Sequence, residues 1–247
     1  MSLRVFTARE RPDLGERGRE TSAVWPEYNV HSPVSARYWG RLLSELPDHQ
    51  FMLYDDAADD VVAQGHSAPL VWDGSAEGLP EGFDAVLPAA FGLLERGAAP
   101  TTLCALAVQI PERHRGRGHS VSMLRAMAAI AARDGLDALI APVRPSQKER
   151  YPLVPIERYA AWQRSDGLPF DAWMRVHARL GATILRTEPR SLMIPGTVAE
   201  WESWTSLRFP ESGEYWFPRG LATVHIDVEA DRGVYWEPNV WMLHAVS

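Results

Sequence analysis

Residues 108–124 read VQIPERHRGRGHSVSML, and this stretch decides the fold. It begins inside an almost continuous apolar run, residues 103–110, which breaks at Pro111 as a strand buried on both faces would. After the charged turn, apolar residues recur at helical spacing until Gly135. The recurring residues are Val121, Leu124, Met127, Ala128 and Ala131. The stretch therefore predicts a strand, a tight turn and a helix in direct succession.

The turn at residues 113–120 has the composition of an anion site. It carries three Arg, two Gly and two His, although the chain as a whole has a net charge of −7. Small residues let backbone N–H groups approach a ligand, and the N-terminus of a helix adds partial positive charge. A phosphate-binding Walker loop and a dinucleotide fingerprint are not matched, because the turn lacks Gly-Lys-Ser/Thr and a third glycine. The alternative is a solvated basic turn that only caps the helix.

The same stretch resembles the acyl-CoA motif of the GNAT superfamily, Gln/Arg-x-x-Gly-x-Gly/Ala between a strand and a helix. Arg115, Gly118 and Ser120 stand at its defining positions, with Ser where Gly or Ala is usual. The resemblance implies that the strand binds the pantetheine arm and the turn binds the pyrophosphate. The implied coenzyme-binding residues are Val108, Gln109, Ile110, Arg113, Arg115, Gly116, Arg117, Gly118, His119 and Ser120.

The resemblance also implies a reaction. The chain is expected to be an N-acetyltransferase that uses acetyl-CoA as co-substrate and no metal, with direct attack of an acceptor amine on the thioester. The competing class is a non-catalytic acyl-CoA-binding or sensor module of the same fold that has lost its acid and base, since function resides in the site and not in the fold.

A second, weaker match concerns the catalytic acid. The family segment Tyr-x-x-x-Gly-Phe is replaced here by His177, Gly181 and Ala182, so His177 stands where the family tyrosine protonates the departing thiolate. A histidine has a suitable pKa for that role near pH 7, but it could equally be a packed residue of an amphipathic helix. Tyr151 is an alternative acid, and Glu112 or a water chain is a candidate base.

A short loop before a helix is the candidate acceptor contact. It contains Trp25, Tyr28, Asn29 and His31, and it leads into the N-cap and first-turn pair Ser32 and Pro33. Mixed aromatic and polar loops suit small-ligand recognition. The alternative is that the aromatic residues anchor the loop to the core.

Other patterns complete an α/β (α+β) chain. We expect helices at residues 32–46, 84–95, 156–164, 170–180 and 198–204, and strands at residues 3–7, 50–54, 61–66, 138–143, 183–186, 191–194, 222–228 and 234–242. The resemblance implies a GNAT-like mixed twisted sheet flanked by helices, with a β-rich C-terminal extension. We expect one domain, residues 1–247, with a core to about residue 195 and the extension at 196–247.

The composition of the chain limits the kinds of molecule that it is expected to bind. With 32 acidic residues against 25 Lys and Arg, the chain is not a general nucleic-acid binder, and a small-molecule or peptide amine is the expected partner. Cys104 is the single cysteine, which excludes an intrachain disulfide and indicates the cytoplasm. No signal-like or membrane-length apolar segment is present.

His225, Asp227 and Glu229 alternate along a strand, but an exposed polar face explains them better than a metal site. The oligomeric state is left open, with a homodimer as one option.

Overall fold

Nine strands form one mixed sheet in the computed structural model, which describes residues 3–18 and 24–246. The strands are β1 (Leu3–Thr7), β2 (Gln50–Asp55), β3 (Asp60–Leu70), β4 (Thr102–Gln109), β5 (Ala138–Val143), β6 (Thr183–Gly196), β7 (Gly213–Tyr215), β8 (Val224–Asp227) and β9 (Arg232–Ala245). Their order is β1-β2-β3-β4-β5-β9-β8-β7, and β6 also pairs with β9. All these pairs are antiparallel except β4 with β5.

Helices cover both faces of the sheet. They are α1 (Pro12–Arg17), α2 (Pro33–Tyr38), α3 (Leu42–Glu45), α4 (Phe83–Arg96), α5 (His119–Arg133), α6 (Ile156–Ala160), α7 (Ala172–Arg179) and α8 (Val198–Thr205). Successive side chains of β4 and β5 point to opposite faces of the sheet. Leu103 and Leu139 pack on the face covered by α5, whereas Cys104 and Ile140 pack on the face covered by α4. The expected mixed sheet with flanking helices is confirmed.

The strand, turn and helix expected around residues 108–124 are present as β4, a turn and α5. The parallel pairing of β4 with β5 is short, because it contains only the pairs Leu103 with Leu139 and Cys104 with Ile140. On its other edge β4 has a bulge: Ala105 faces Ser67 and Ala107 faces His66, which leaves Leu106 as the extra residue. A bulge bends its strand and increases the local twist. Beyond Cys104 the two parallel strands therefore diverge.

The last strand occupies the middle of the sheet. One edge of β9 pairs with β6 along most of its length, and the other edge pairs with β8 near its start and with β5 near its end. Between those two partners, residues 236–239 pair with neither β5 nor β8. The expected division into a core and an extension at about residue 195 stays a prediction; β9 belongs to the second part and lies between strands of the first.

Several element boundaries differ from the sequence-based expectation. The helix expected at residues 32–46 is two short helices, α2 and α3, separated by a 3₁₀ turn at Trp39–Arg41. Gly40 lies in that turn, and glycine has low helix propensity. The expected strands at 183–186 and 191–194 are one strand, β6, with an irregularity between Glu188 and Leu192 where Pro189 cannot donate a ladder hydrogen bond. No helix in the described part of the chain is long and apolar enough to cross a membrane.

A glycine under an aromatic ring gives a test of the core. Gly65 of β3 lies directly opposite Phe51 of β2, and a Cβ at position 65 would overlap the fully buried Phe51 ring. We expect Gly65→Ala to lower the free energy of unfolding by about 1–3 kcal/mol, as overpacking does. Gly40→Ala is the matched control, since a Cβ there meets no atom within 4 Å. Equal stability of the two variants in chemical denaturation would contradict this packing.

Candidate active site

Two hollows meet where β4 and β5 diverge. A cleft of about 900 Å³ lies towards α5 and α7, and a smaller cavity of about 200 Å³ lies towards α2 and the start of α4. We call them the large cleft and the small cavity. Both are lined by Trp25, Leu106, Pro142 and Arg144. Two molecules bound in the two hollows would therefore meet at the divergence.

The turn before α5 forms one wall of the large cleft. Gly116 and Gly118 have φ of 75° and 81°, and Gly118 is the N-cap of α5. The first N–H groups of a helix have no partner inside it, so the N-terminus of α5 presents free donors and the positive end of its dipole. The turn residues that line the cleft are Glu112, His114, Arg115, Gly116, Gly118, His119 and Ser120. This wall has the chemistry that binds a pyrophosphate.

Asp60 holds two basic side chains of the turn. His114 Nε2 lies 2.8 Å from Asp60 Oδ2, and Arg113 donates to the same carboxylate at 3.2 Å. Although burial opposes the change, these hydrogen bonds lower the pKa of Asp60. Arg113 and Arg117 are not among the described residues that line the large cleft. Arg115 lines the cleft and donates from Nε to the Ile110 carbonyl at 3.2 Å.

The strand residues alternate between the two hollows. Val108 and Ile110 line the large cleft, and Gln109 lines the small cavity, as expected for successive residues of a strand. Within the part of the chain that the structure describes, β5 pairs with β4 only as far as Cys104. The backbone N–H and C=O groups on this edge of β4 after Cys104 can therefore pair with an extended ligand, as in β-strand addition.

His177 lies in the opposite wall of the large cleft, on α7. Asp171 orients this helix, because its buried carboxylate accepts from Trp173 N and Met174 N at the helix start and from Tyr159 Oη at 2.9 Å. The His177 side chain is 2% exposed, and its Nε2 is buried without a hydrogen-bond partner. Its Nδ1 lies 2.8 Å from Nε2 of His244 on β9.

Burial and the neighbouring His244 lower the pKa of His177 to about 3. His177 is therefore neutral at pH 7, with a pKa well below that of an ordinary histidine. Its role in protonating the departing thiolate stays a prediction. A neutral imidazole can still donate one hydrogen bond. Only the arrangement in which His244 Nε2 donates to His177 Nδ1 places a hydrogen on His177 Nε2.

The other two catalytic candidates lie in different settings. Glu112 is exposed in the 3₁₀ turn that lines the large cleft. Tyr151 packs against the rings of Tyr159, Trp162 and Phe170, and it is not among the described residues that line either hollow.

The small cavity is lined by both polar and apolar residues. Arg144 and Glu237 form an ion pair in its polar wall, with Arg144 Nε 3.0 Å from Glu237 Oε1 but without the angle of a hydrogen bond. The other polar lining residues are Asn29, Ser35, Gln109 and Asn239, and the apolar ones are Trp25, Val30, Ala36, Trp39, Phe83, Leu106, Pro142 and Leu192. Sequence reasoning missed Arg144, Glu237 and His244, because no local pattern connects them to the turn.

Comparison with known proteins identifies the family. No family model matches the chain. Arginine N-acetyltransferase avaD from Aspergillus versicolor is 30% identical to it over 272 residues, which cover 97% of this chain and 93% of the relative. The chain belongs to the GNAT superfamily. It is an acyl-CoA-dependent N-acyltransferase.

Two solved structures share the GNAT fold of this enzyme. The loading GNATL domain of CurA from Lyngbya majuscula has a TM-score of 0.58 at 15% identity, covering 99% of this chain and 97% of that one. A GNAT-like decarboxylase, GphF, in complex with isobutyryl-CoA, has a TM-score of 0.55 at 14% identity, and the match covers 100% of both chains. At these identities the likeness concerns the fold alone.

Two of the four expected acceptor contacts of this GNAT enzyme lie elsewhere. Tyr28 is 2% exposed and packs against Trp201, Phe217 and Tyr235 in the core, where its hydroxyl donates to the Arg219 carbonyl at 2.7 Å. His31 stacks on Trp204 with ring centroids 4.2 Å apart. The aromatic character of the loop thus serves packing at these positions. Trp25 and Asn29 do line the small cavity.

Gly118 gives a direct test of the turn. Its Cβ position meets no atom within 4 Å, so a side chain there has room but shares space with any ligand at the α5 N-terminus. We expect Gly118→Asp to raise the Kd for acetyl-CoA at least about tenfold more than Gly118→Asn does, because the two side chains match in shape and differ in charge. Isothermal titration calorimetry measures both values.

Gly135→Asp is the control for backbone strain. Gly135 also has a positive φ, 69°, and its Cβ position is also open, but it lies at the other end of α5. This variant should bind acetyl-CoA normally. Equal affinity of the Asp and Asn variants at position 118 would remove the turn from the coenzyme site.

Proposed function

We propose that this enzyme transfers the acetyl group of acetyl-CoA to a primary amine of a small molecule, with arginine and related amino compounds as the first candidates. The observation that carries the proposal is the meeting of the large cleft and the small cavity at the divergence of β4 and β5. The name of the relative from Aspergillus versicolor, an arginine N-acetyltransferase, supports the choice of acceptor. The small cavity, about 200 Å³, favours a small molecule over a peptide.

Acetyl-CoA occupies the large cleft in this proposal. The pyrophosphate binds at the N-terminus of α5, where Arg115 supplies a cation and Gly116, Gly118, His119 and Ser120 supply a close backbone surface. The pantetheine arm extends along the unpaired edge of β4 past Val108 and Ile110. This orientation brings the thioester to Leu106 and Pro142, which belong to both hollows.

The acceptor nitrogen attacks the thioester carbonyl from the small cavity. A C–N bond forms, the C–S bond breaks with its electron pair on sulfur, and the proton that the neutral amine loses passes through water to the thiolate, which leaves as the free thiol of CoA. Holding both reactants at one junction supplies much of the rate enhancement, because it replaces a bimolecular encounter by a fixed geometry. Unpaired backbone N–H groups near the bulge at Leu106 are suited to stabilise the tetrahedral oxyanion.

His177 acts on the leaving thiolate in this mechanism. Its Nε2 is buried without a hydrogen-bond partner among the described residues, and the residue lines the large cleft. A hydrogen bond from a neutral imidazole to a developing anion is an established catalytic device. Glu112 lines the large cleft and not the small cavity, so it lies on the coenzyme side and is not proposed as the base for the acceptor amine.

Release of free CoA tests the proposed function. We expect acetyl-CoA to be consumed with stoichiometric formation of an N-acetyl product when arginine or another small primary amine is added, as followed by thiol titration and mass spectrometry. Tight binding of acetyl-CoA with no turnover on any amine of a broad panel would instead assign the chain to the sensor class.

A substitution at position 177 tests the leaving-group role. We expect His177→Ala to lower kcat about 10²- to 10³-fold, the effect of losing one preorganised hydrogen-bond donor, while the Kd for acetyl-CoA stays near normal. The pKa of His177 is about 3, so the imidazole is neutral throughout the range from pH 6 to 9 and the loss should be the same at every pH in that range. A loss below about tenfold would assign His177 to packing.

A further inference from the structure

The Arg144–Glu237 pair is the most unusual electrostatic feature of the small cavity. The Glu237 side chain is 3% exposed and that of Arg144 is 21% exposed, so the carboxylate is almost completely removed from water. Both side chains line the cavity, and Arg144 also lines the large cleft. The pair therefore lies in the acceptor space and reaches the point where the two hollows meet.

The carboxylate of Glu237 has few short contacts with the described residues. Apart from Arg144, its described contacts are Asn29 Nδ2, 3.4 Å from each oxygen, and Tyr235 Oη at 3.4 Å. These distances lie at the long limit of hydrogen bonding, whereas an ionised carboxylate accepts about four bonds. A buried charge with so few short contacts is costly unless a further donor is supplied. A ligand ammonium in the small cavity supplies that donor.

The balance of charge selects the kind of ligand. Glu237 and Arg144 carry opposite charges 3.0 Å apart, so the wall has no net charge but a strong local dipole. A simple cationic amine near Glu237 also meets the guanidinium of Arg144, and a simple anion near Arg144 also meets the carboxylate. A ligand with adjacent positive and negative groups matches both. The ammonium and carboxylate of a free α-amino acid are separated by one carbon and have this arrangement.

The remainder of the small cavity suits the rest of such a molecule. Trp39, Phe83 and Leu192 line the cavity and give it an apolar surface under α2 and α4. Gln109 and Asn239 add polar groups to the same lining. An amino acid bound by its charged groups at the pair can place its side chain along this surface. Its α-nitrogen then faces Leu106 and Pro142, the residues shared with the large cleft.

We propose that the acceptor is a free α-amino acid, bound with its α-ammonium group on Glu237 and its α-carboxylate on Arg144, and acetylated on the α-nitrogen. The ammonium first gives one proton to solvent water, which leaves a lone pair on the nitrogen for attack, and the second proton that the nitrogen loses ends on the released CoA thiol. This assignment rests on the proposed acetyltransferase function and adds to it the class of acceptor and the two residues that select it. The charged groups of the ligand alternate with those of the protein, so each of the four charges gains an opposite neighbour.

A panel of matched amines tests the assignment with the wild-type enzyme. Arginine is compared with argininamide and agmatine, which lack the carboxylate, and phenylalanine is compared with phenethylamine. We expect kcat/KM to be about 10- to 100-fold higher for the amino acid in each pair, the effect of one well-placed charged hydrogen bond. Nα-Acetylarginine should not react. Equal or faster turnover of the carboxylate-free amines, or acetylation of Nα-acetylarginine, would overturn the proposal.

A neutral double variant separates recognition from folding. Arg144→Gln with Glu237→Gln removes both charges together, so no unpaired buried charge remains. We expect the preference for arginine over agmatine to fall below about threefold in a variant that still binds acetyl-CoA. The matched control is Arg186→Gln with Glu188→Gln, an ion pair of 3.1 Å whose residues line neither hollow; it should keep the preference.

The outcomes distinguish the two proposals. Acetyl transfer to amines of every kind, with no preference for a carboxylate, would overturn the amino acid assignment and leave the acetyltransferase function in place. No transfer to any amine, with acetyl-CoA bound, would overturn the acetyltransferase function. A double variant that binds acetyl-CoA, melts near the wild-type temperature and keeps the full preference would exclude the ion pair as its source.

Discussion

The brevity of the β4–β5 pairing is the constraint on which the rest of the structure depends. Parallel neighbours normally continue their hydrogen bonds along the full length of the shorter strand, but here pairing stops after Cys104 and Ile140. The bulge at Leu106 turns β4 away, and both hollows open in the resulting gap. Backbone groups that a complete ladder would have consumed remain available to a ligand. The gap in the sheet therefore gives the enzyme the space in which two bound molecules can meet.

Strand β9 keeps the sheet continuous beside the gap, and several candidate site residues belong to it. It pairs with β5 at residues 240–245, which keeps the sheet continuous on the far side of the gap. Its side chains Glu237 and Asn239 line the small cavity, and His244 contacts His177, which lines the large cleft. The stretch of β9 edge left without β5 or β8 is the one that contains Glu237, so the unpaired edge and the buried carboxylate coincide.

Sequence patterns predicted what is local and missed what is assembled across the chain. The turn at residues 113–120 could be recognised because its glycines, its basic residues and the following helix are contiguous. Glu237 could not be recognised in this way, since its contact Asn29 lies 208 residues earlier in the chain and only the folded sheet brings the two together. The pKa of His177 was likewise beyond reach, because it depends on burial and on His244. In the loop at residues 25–31, aromatic content was a poor guide: Tyr28 is part of the core, whereas Trp25 lines both hollows.

Four wall residues are shared by the two hollows, so binding of acyl-CoA in the large cleft is thermodynamically coupled to binding of the acceptor in the small cavity. Trp25, Leu106, Pro142 and Arg144 belong to both hollows, so a molecule that shifts any of them in one hollow changes the shape of the other. Such coupling is reciprocal: the factor by which a bound acyl-CoA changes acceptor affinity equals the factor by which the acceptor changes acyl-CoA affinity. Every carbon added to the acyl group beyond the junction also takes volume from a cavity of about 200 Å³. The acyl group of the donor and the acceptor molecule therefore share one fixed volume. A preference for a longer acyl group implies a preference for a smaller acceptor.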